Sequence, residues 1–231
     1  MEKPPDDQDH TMVLDPPATR PERQEMVSQQ LRPRGITDPK VLEAMATIPR
    51  EFFVPPSLER EAYLDGPIPI GEGQTISQPY MVAIMAQLLQ AKDTSTLLEI
   101  GAGSGYGAAI LSRLATRVIA VERIPRLLEQ ARHRWHQLGL DNIEGVVGDG
   151  TLGHPLQAPY DGICVTAGAP DIPTPLLRQL NPLHGRLVIP TGPRFSQVLQ
   201  TVRLDSQGNM VATSHLSCIF VPLIGQHGWE G

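Results

Sequence analysis

The stretch "TLLEIGAGSGYG", residues 96–107, decides the fold. It opens on a short apolar run of the kind buried inside a parallel sheet. Glycines follow at 101, 103 and 105. Glycine tolerates the backbone of a tight turn and lets a ligand approach the main chain closely. "GYGAAILSRLA", residues 105–115, then takes up a helical pattern. Strand, glycine-rich turn and helix in that order predict the opening unit of an α/β sheet whose ligands sit in the crevice at the strand ends.

The alternation continues downstream. "RVIAVE" (117–122) reads as a second strand, and "PRLLEQARHRWHQLG" (125–139) as a helix with Pro125 near its start and Gly139 just past its end. "NIEGVVG" (142–148) and "YDGICVT" (160–166) are further strands, "PTPLLRQL" (173–180) a helix, and "GRLVIP" (185–190) another strand. Two last strand-like runs, "SQVLQTVRL" and "SHLSCIFVPL", flank a turn at Gly208-Asn209. The pattern predicts a doubly wound, mostly parallel sheet of Rossmann-like type, with antiparallel strands added near the C-terminus.

Two acids point into the same crevice. Glu122 ends the second strand, roughly 20 residues beyond the turn, where a carboxylate can accept hydrogen bonds from ribose hydroxyls. Asp149 follows the third strand, where it can meet an adenine edge. The dinucleotide fingerprint needs glycine at its first, third and sixth positions. Here the sixth position is Tyr106, and the turn offers no pyrophosphate cradle. A phosphate-free sulfonium nucleoside, S-adenosylmethionine, suits it better, with a nicotinamide nucleotide as the second reading. The cofactor-side candidates are Glu99, Gly101, Ala102, Gly103, Ser104, Gly105, Glu122, Asp149 and Gly150.

Upstream, residues 1–22 are rich in Pro, Asp and Arg without apolar period, and are expected to be a disordered tail. Residues 23–231 then form one domain, divided into a helical lobe and substrate loop over 23–95 and the cofactor-binding sheet over 96–231. Met26, Val27 and Leu31 mark a short amphipathic turn. Asp38 is a candidate N-cap with Pro39 at the first helical position, and Val41, Leu42, Met45 and Ile48 share one face. "GPIPIGEGQTISQP" (66–79) reads as a long loop. Met81, Ile84, Met85 and Leu88 are placed on the buried face of the helix that follows.

The composition narrows the function classes. No segment approaches the ~18 apolar residues of a membrane span, and "MEKPPDDQDH" lacks the apolar stretch of a signal peptide. The formal net charge of −6 argues against broad attraction to nucleic acid. Cys164 and Cys218 both lie in apolar runs and are expected to be core thiols, as in a reducing cytosol. A cytoplasmic protein, monomeric or weakly oligomeric, is the expectation. The histidines show no metal-ligand spacing, and no metal is expected.

Six stretches carry a resemblance over residues 24–223: "QLRPRGITDPKVLEAMATIPREFFVP", "AYLDGPIPIGEGQTISQPYMVAIMAQLL", "LLEIGAGSGYGAAIL", "GDGTLG", "APYDGICVTAG" and "FVPLIG". The chain resembles protein-L-isoaspartate O-methyltransferases. The glycine turn is common to many methyltransferases, whereas "GQTISQPYMVA" ahead of it is specific to this family. The resemblance implies methyl transfer from S-adenosylmethionine to the free α-carboxylate of L-isoaspartyl residues in damaged proteins. The ester then collapses to a succinimide, whose hydrolysis returns some normal linkage. A carboxylate is already ionised at neutral pH and needs no base, which agrees with the lack of an acid/base dyad.

The chemistry of Ser77 alone leaves two readings: a hydroxyl donor to the acceptor carboxylate, or a cap of the helix after Pro79. The resemblance maps the family's active-site serine onto Ser77, and places Thr75, Ile76 and Val221 beside it on the substrate side. Gly107, His154 and Gly168 depart from residues common in the family, which are glutamine, tryptophan and alanine. An amino-methyltransferase of nucleic acids would need Asn/Asp-Pro-Pro-aromatic after the fourth strand, where "VTAGAP" stands instead. A small-molecule methyltransferase on the same scaffold stays open, since fold does not fix the acceptor. A peptide-binding module without catalysis would have lost the cofactor residues.

Overall fold

Adjacent side chains of a strand point to opposite faces, and the central strands show this directly. In β3 (Thr96–Ile100), Leu97 joins one apolar cluster and Leu98 and Ile100 the other. In β4 (Arg117–Glu122), Val118 and Ala120 go to the first cluster, Ile119 and Val121 to the second. Both faces of the sheet are therefore covered, which is what near-continuous apolar strands require.

The computed structural model describes residues 20–231. Its main sheet has seven strands. Alongside β3 and β4 stand β5 (Ile143–Val147), β6 (Gly162–Val165), β7 (Arg186–Thr191), β8 (Gln197–Leu204) and β9 (Met210–Cys218). The order is β5-β4-β3-β6-β7-β8-β9. The first five are parallel, while β8 and β9 are antiparallel additions. The chain starts in the middle at β3, winds outward to β5, then crosses back to β6. The switch point where a ligand crevice opens thus lies between β3 and β6. The expected doubly wound sheet is present, with β9 shifted from the predicted run: it begins at Met210 and stops at Cys218, so "IFVPL" leaves the ladder.

The helices follow the sheet order. These are α1 (Arg20–Glu25), α2 (Pro39–Thr47), α3 (Pro79–Leu89), α4 (Tyr106–Ser112), α5 (Pro125–Gln137) and the short α6 (Thr174–Leu177). Asp38 caps α2, its side chain accepting from the amides of Lys40 and Val41. Val41, Leu42, Met45 and Ile48 are all buried as the period requires. In α3 the buried face is Met81, Ala83, Met85, Ala86 and Leu89, leaving Ile84 and Leu88 partly exposed.

Ordered structure starts earlier than the expected boundary. The tail reading over 1–22 falls outside the described residues up to 19, and residues 20–22 belong to α1. A π-helical turn, Met26–Leu31, continues from α1 and buries Met26, Val27 and Leu31. Arg23 is fully buried and donates to the Thr47 carbonyl at 2.9 Å and the Tyr63 hydroxyl at 2.9 Å.

The 66–79 loop is also corrected. It contains a hairpin, β1 (Ile68–Gly71) and β2 (Gln74–Ile76), closed by Glu72 and Gly73 with φ of 52° and 67°. Positive φ at both central residues is the geometry of a two-residue hairpin turn. The prolines at 67 and 69 made the run read as irregular, yet proline is tolerated where a strand has no neighbour to serve. A lone hairpin is marginal in water. This one is held by burial of Ile68 and Ile76 and by an ion pair from Glu72 to Arg126 at 3.2 Å.

Candidate active site

The glycine turn after β3 adopts conformations that side chains resist. Gly101 and Gly105 have φ of 92° and 90°. A Cβ on Gly101 would lie 2.7 Å from Thr166 Oγ1, and one on Gly105 would lie 2.8 Å from Trp135 Nε1. The turn is pinned from three sides. Thr166 Oγ1 donates to the Gly101 carbonyl at 2.6 Å, Trp135 Nε1 donates to the Gly105 carbonyl at 2.8 Å, and the Gly103 amide donates to Glu122 Oε2 at 2.9 Å.

Above the turn lies a cleft enclosing ≈ 900 Å³, open solvent at its mouth included. Its walls bring together most of the predicted residues: Glu99, Gly101, Ala102, Gly103, Ser104, Glu122 and Gly150 of the predicted cofactor set, and Thr75, Ile76, Ser77 and Val221 of the predicted acceptor set. Gly105 lies below the lining, at the N-cap of α4. Residues that sequence reasoning passed over also line the cleft, among them Thr166, Ile124, Tyr106, Leu223 and Ile224. Thr166 carried a legible signal, since it directly follows a parallel strand beside the switch point. Leu223 and Ile224 carried none, because they come from the segment that leaves the sheet after β9.

Asp149 is half-buried and directly precedes the lining residue Gly150. Its Oδ1 accepts from the Thr151 amide at 2.9 Å and Thr151 Oγ1 at 2.7 Å, and its Oδ2 accepts from the Gln226 amide at 2.8 Å. The carboxylate therefore caps a 3₁₀ turn and anchors the C-terminal segment, leaving Gly150 to face the cleft.

The electrostatics of the cleft are acidic. Glu122 is buried, and its Oε1 accepts from the Ile124 amide at 2.9 Å. Glu99 is 1% exposed, and its Oε2 has no partner among the described residues. Burial, with the nearby Glu122 charge, pushes its carboxyl well above the usual range. The one cation in the lining is Arg123, itself exposed. A buried acid with one oxygen unpaired among the described residues, and a second carboxylate beside it, fit a cationic nucleoside such as S-adenosylmethionine.

Ser77 precedes α3, whose N-cap is Gln78 and makes no side-chain cap bond. The Ser77 hydroxyl has no hydrogen-bond partner among the described residues. It borders both the first cleft and a second one of ≈ 670 Å³, lined by Arg34, Tyr80, Met81, Leu216, Ile219 and Phe220 among others. Thr75, Thr166 and Val221 are also shared by the two. Cys164 is buried as expected, whereas Cys218 is half-buried and lines the second cleft. Burial pushes the Cys218 thiol up to about 11. Among the described residues no three metal-ligating side chains converge.

A profile of the family described as protein-L-isoaspartate(D-aspartate) O-methyltransferase matches residues 22–228. A protein-L-isoaspartate O-methyltransferase of Methanoculleus marisnigri is 54% identical over 221 residues, which is 95% of this chain and 98% of the relative. That of Trichlorobacter lovleyi is 50% identical over 208 residues, covering 90% and 95% of the two chains. A solved protein-L-isoaspartate O-methyltransferase superposes with a TM-score of 0.78 at 30% identity, over 89% of this chain and 67% of its own. A Plasmodium falciparum structure in complex with S-adenosyl-L-homocysteine shares the fold, with a TM-score of 0.74 at 24% identity over 87% and 98%. The chain belongs to the protein-L-isoaspartate(D-aspartate) O-methyltransferase family.

Proposed function

We propose that this protein methylates the free α-carboxylate of L-isoaspartyl residues in damaged proteins and peptides, using S-adenosylmethionine. The observation that carries the reading is the position of Ser77, a hydroxyl without a hydrogen-bond partner among the described residues, where the cofactor cleft meets a second cleft. The cofactor supplies an electrophilic methyl group on a cationic sulfur. Glu122 and Glu99 would hold the nucleoside and the cationic methionyl end, with the glycine turn leaving the backbone open to them. Ser77 donates to the acceptor carboxylate and aims its other oxygen at the methyl carbon. The acceptor is already a carboxylate and no proton would need to move, so alignment and exclusion of water are what these residues would provide. Thr75, Ile76 and Val221 form the acceptor walls.

The acidic cleft and the absence of a basic tract speak for a protein rather than a nucleic-acid substrate. Two unpaired thiols fit a cytoplasmic location, and among the described residues no helix is long and apolar enough to cross a membrane. We read the working unit as a monomer or weak oligomer. Labelled methyl transfer to an isoaspartyl peptide beside its aspartyl twin tests the proposal. The two differ by one methylene moved from side chain to backbone, so the wrong isomer leaves the site's donors unpaired. Methylation of the isoaspartyl peptide alone is expected, and equal rates on both would refute the repair reading.

A further inference from the structure

We infer that Arg50 is a positioning residue that sets the acceptor wall by clamping both ends of the hairpin excursion that carries Ser77. Arg50 stands just past the end of α2 and is 0% exposed. Its Nε donates to the Ala62 carbonyl at 2.6 Å and its Nη2 to the Ser77 carbonyl at 2.8 Å. Between those two carbonyls the chain runs out through β1 and β2 and returns. One planar fork thus closes the base of the whole excursion. The hairpin tip above it reaches the glycine turn, where Ile70 Cδ1 lies 3.5 Å from the place of a Gly103 Cβ.

The same guanidinium faces the cofactor side. Its carbon lies 5.1 Å from the centroid of the Tyr106 ring, and Tyr106 opens α4 directly after the glycine turn and lines the cofactor cleft. Phe53 packs edge-on against that ring at 5.4 Å. Arg50 therefore touches the acceptor segment and the first residue of α4 at once, while lining neither cleft itself. It acts through the Ser77 backbone, not on substrate.

The energetics favour positioning over plain packing. Burying a charge is costly, and an apolar residue of similar volume often stabilises more. Nη1 is buried without a hydrogen-bond partner among the described residues, so part of that cost is uncompensated there. What the charge provides here is geometry: two donors in a rigid plane, which a lysine cannot reproduce. Burial lowers the guanidinium only to about 10, so it stays charged at neutral pH.

The inference rests on the reading of Ser77 as the acceptor-side donor, and the test separates the two. Arg50→Lys, Arg50→Met and Ser77→Ala are purified, and peptide kinetics per folded molecule are measured beside S-adenosylhomocysteine affinity. Displacing a reacting group by about 1 Å costs up to 100-fold in rate. Both Arg50 variants are expected to lose roughly 10- to 100-fold in peptide kcat/KM, with cofactor affinity nearly unchanged. Unimpaired Arg50→Lys beside impaired Ser77→Ala would overturn the inference. An unimpaired Ser77→Ala would instead overturn the reading beneath it. If the Met variant does not fold, the Lys variant, which keeps the charge, decides. A Lys variant too unstable to assay would make the fork structural and overturn the inference as well.

Discussion

Glu122 and Gly103 are tied across the ends of neighbouring strands, the Gly103 amide donating to Glu122 Oε2 at 2.9 Å. The other oxygen holds the Ile124 amide at 2.9 Å. One carboxylate thus braces the glycine turn and the loop after β4, and each of its oxygens keeps a second lone pair for a ligand.

Glu122→Ala is therefore expected to do two things. It should weaken binding of S-adenosylhomocysteine by roughly 10- to 150-fold, the equivalent of about 1.5–3 kcal/mol for a hydrogen bond to a charged group. It should also lower stability, since two inward-facing amides lose their acceptor at about 1–3 kcal/mol each. Calorimetry and urea unfolding on one preparation read both. Unchanged affinity in a folded variant would place the ribose elsewhere.

Glu99 predicts a pH dependence. Burial raises its carboxyl in the folded protein above its value in the unfolded chain. Stability linked to this group is then fully present below the unfolded pKa and is lost as pH rises through the folded one. Glu99→Gln removes the titration, so the fall in Tm on raising pH above the ordinary carboxylate range should flatten. A bound cation favours the ionised acid. Cofactor affinity in the parent should therefore increase with pH and release a proton, visible as a binding heat that varies with the buffer. Equal Tm slopes in parent and variant would remove Glu99 as the source.

Asp149 gives a contrasting case. Burial opposes its ionisation, but bonds from the Gln226 amide and from Thr151 hold its carboxyl below the ordinary range. Stability from this acid is present above the unfolded pKa and lost as pH falls through the folded one. Asp149→Ala should cost about 1–3 kcal/mol through the amides left unpaired. Cofactor binding should weaken only indirectly, through the wall of Leu223 and Ile224 that the Gln226 anchor holds. A large affinity loss with no stability loss would return Asp149 to direct contact with the cofactor.

The sheet was legible because its signals are local. Apolar strands, alternating with helices and punctuated by glycine and proline, specify a parallel αβ order without knowledge of contacts. Glu122 and the glycine turn were legible for the same reason, being fixed by the end of a strand. The bonds Asp149 makes inside the protein were not legible, because strand position says where a carboxylate starts, not which donors are near. Gln226, distant in sequence, competes for it through a fold that only the three-dimensional path reveals. Arg50 was invisible for a related reason. Its partners are two carbonyls on a segment read as a loop, and backbone acceptors leave no mark on the sequence.

Ser77→Ala separates the two roles that the sequence left open. The structure places the N-cap of α3 at Gln78 and gives the Ser77 hydroxyl no internal acceptor among the described residues. A capping serine would cost about 1 kcal/mol when truncated. The alanine variant is instead expected to unfold near the parent's midpoint, while peptide kcat/KM falls by roughly 10- to 150-fold, the kinetic equivalent of about 1.5–3 kcal/mol. Cofactor affinity should barely change, because the hydroxyl serves the acceptor side. Ser77→Thr keeps the hydroxyl but adds a methyl group between two clefts, so it should retain more activity than alanine while falling below the parent. The backbone carbonyl that Arg50 holds is untouched in both variants, so any loss belongs to the hydroxyl and the added methyl. Unfolding curves and isoaspartyl-peptide kinetics from the same preparations decide the matter. Full activity with lowered stability in the alanine variant would make Ser77 a structural residue and leave the alignment of the acceptor carboxylate to Thr75 and the backbone.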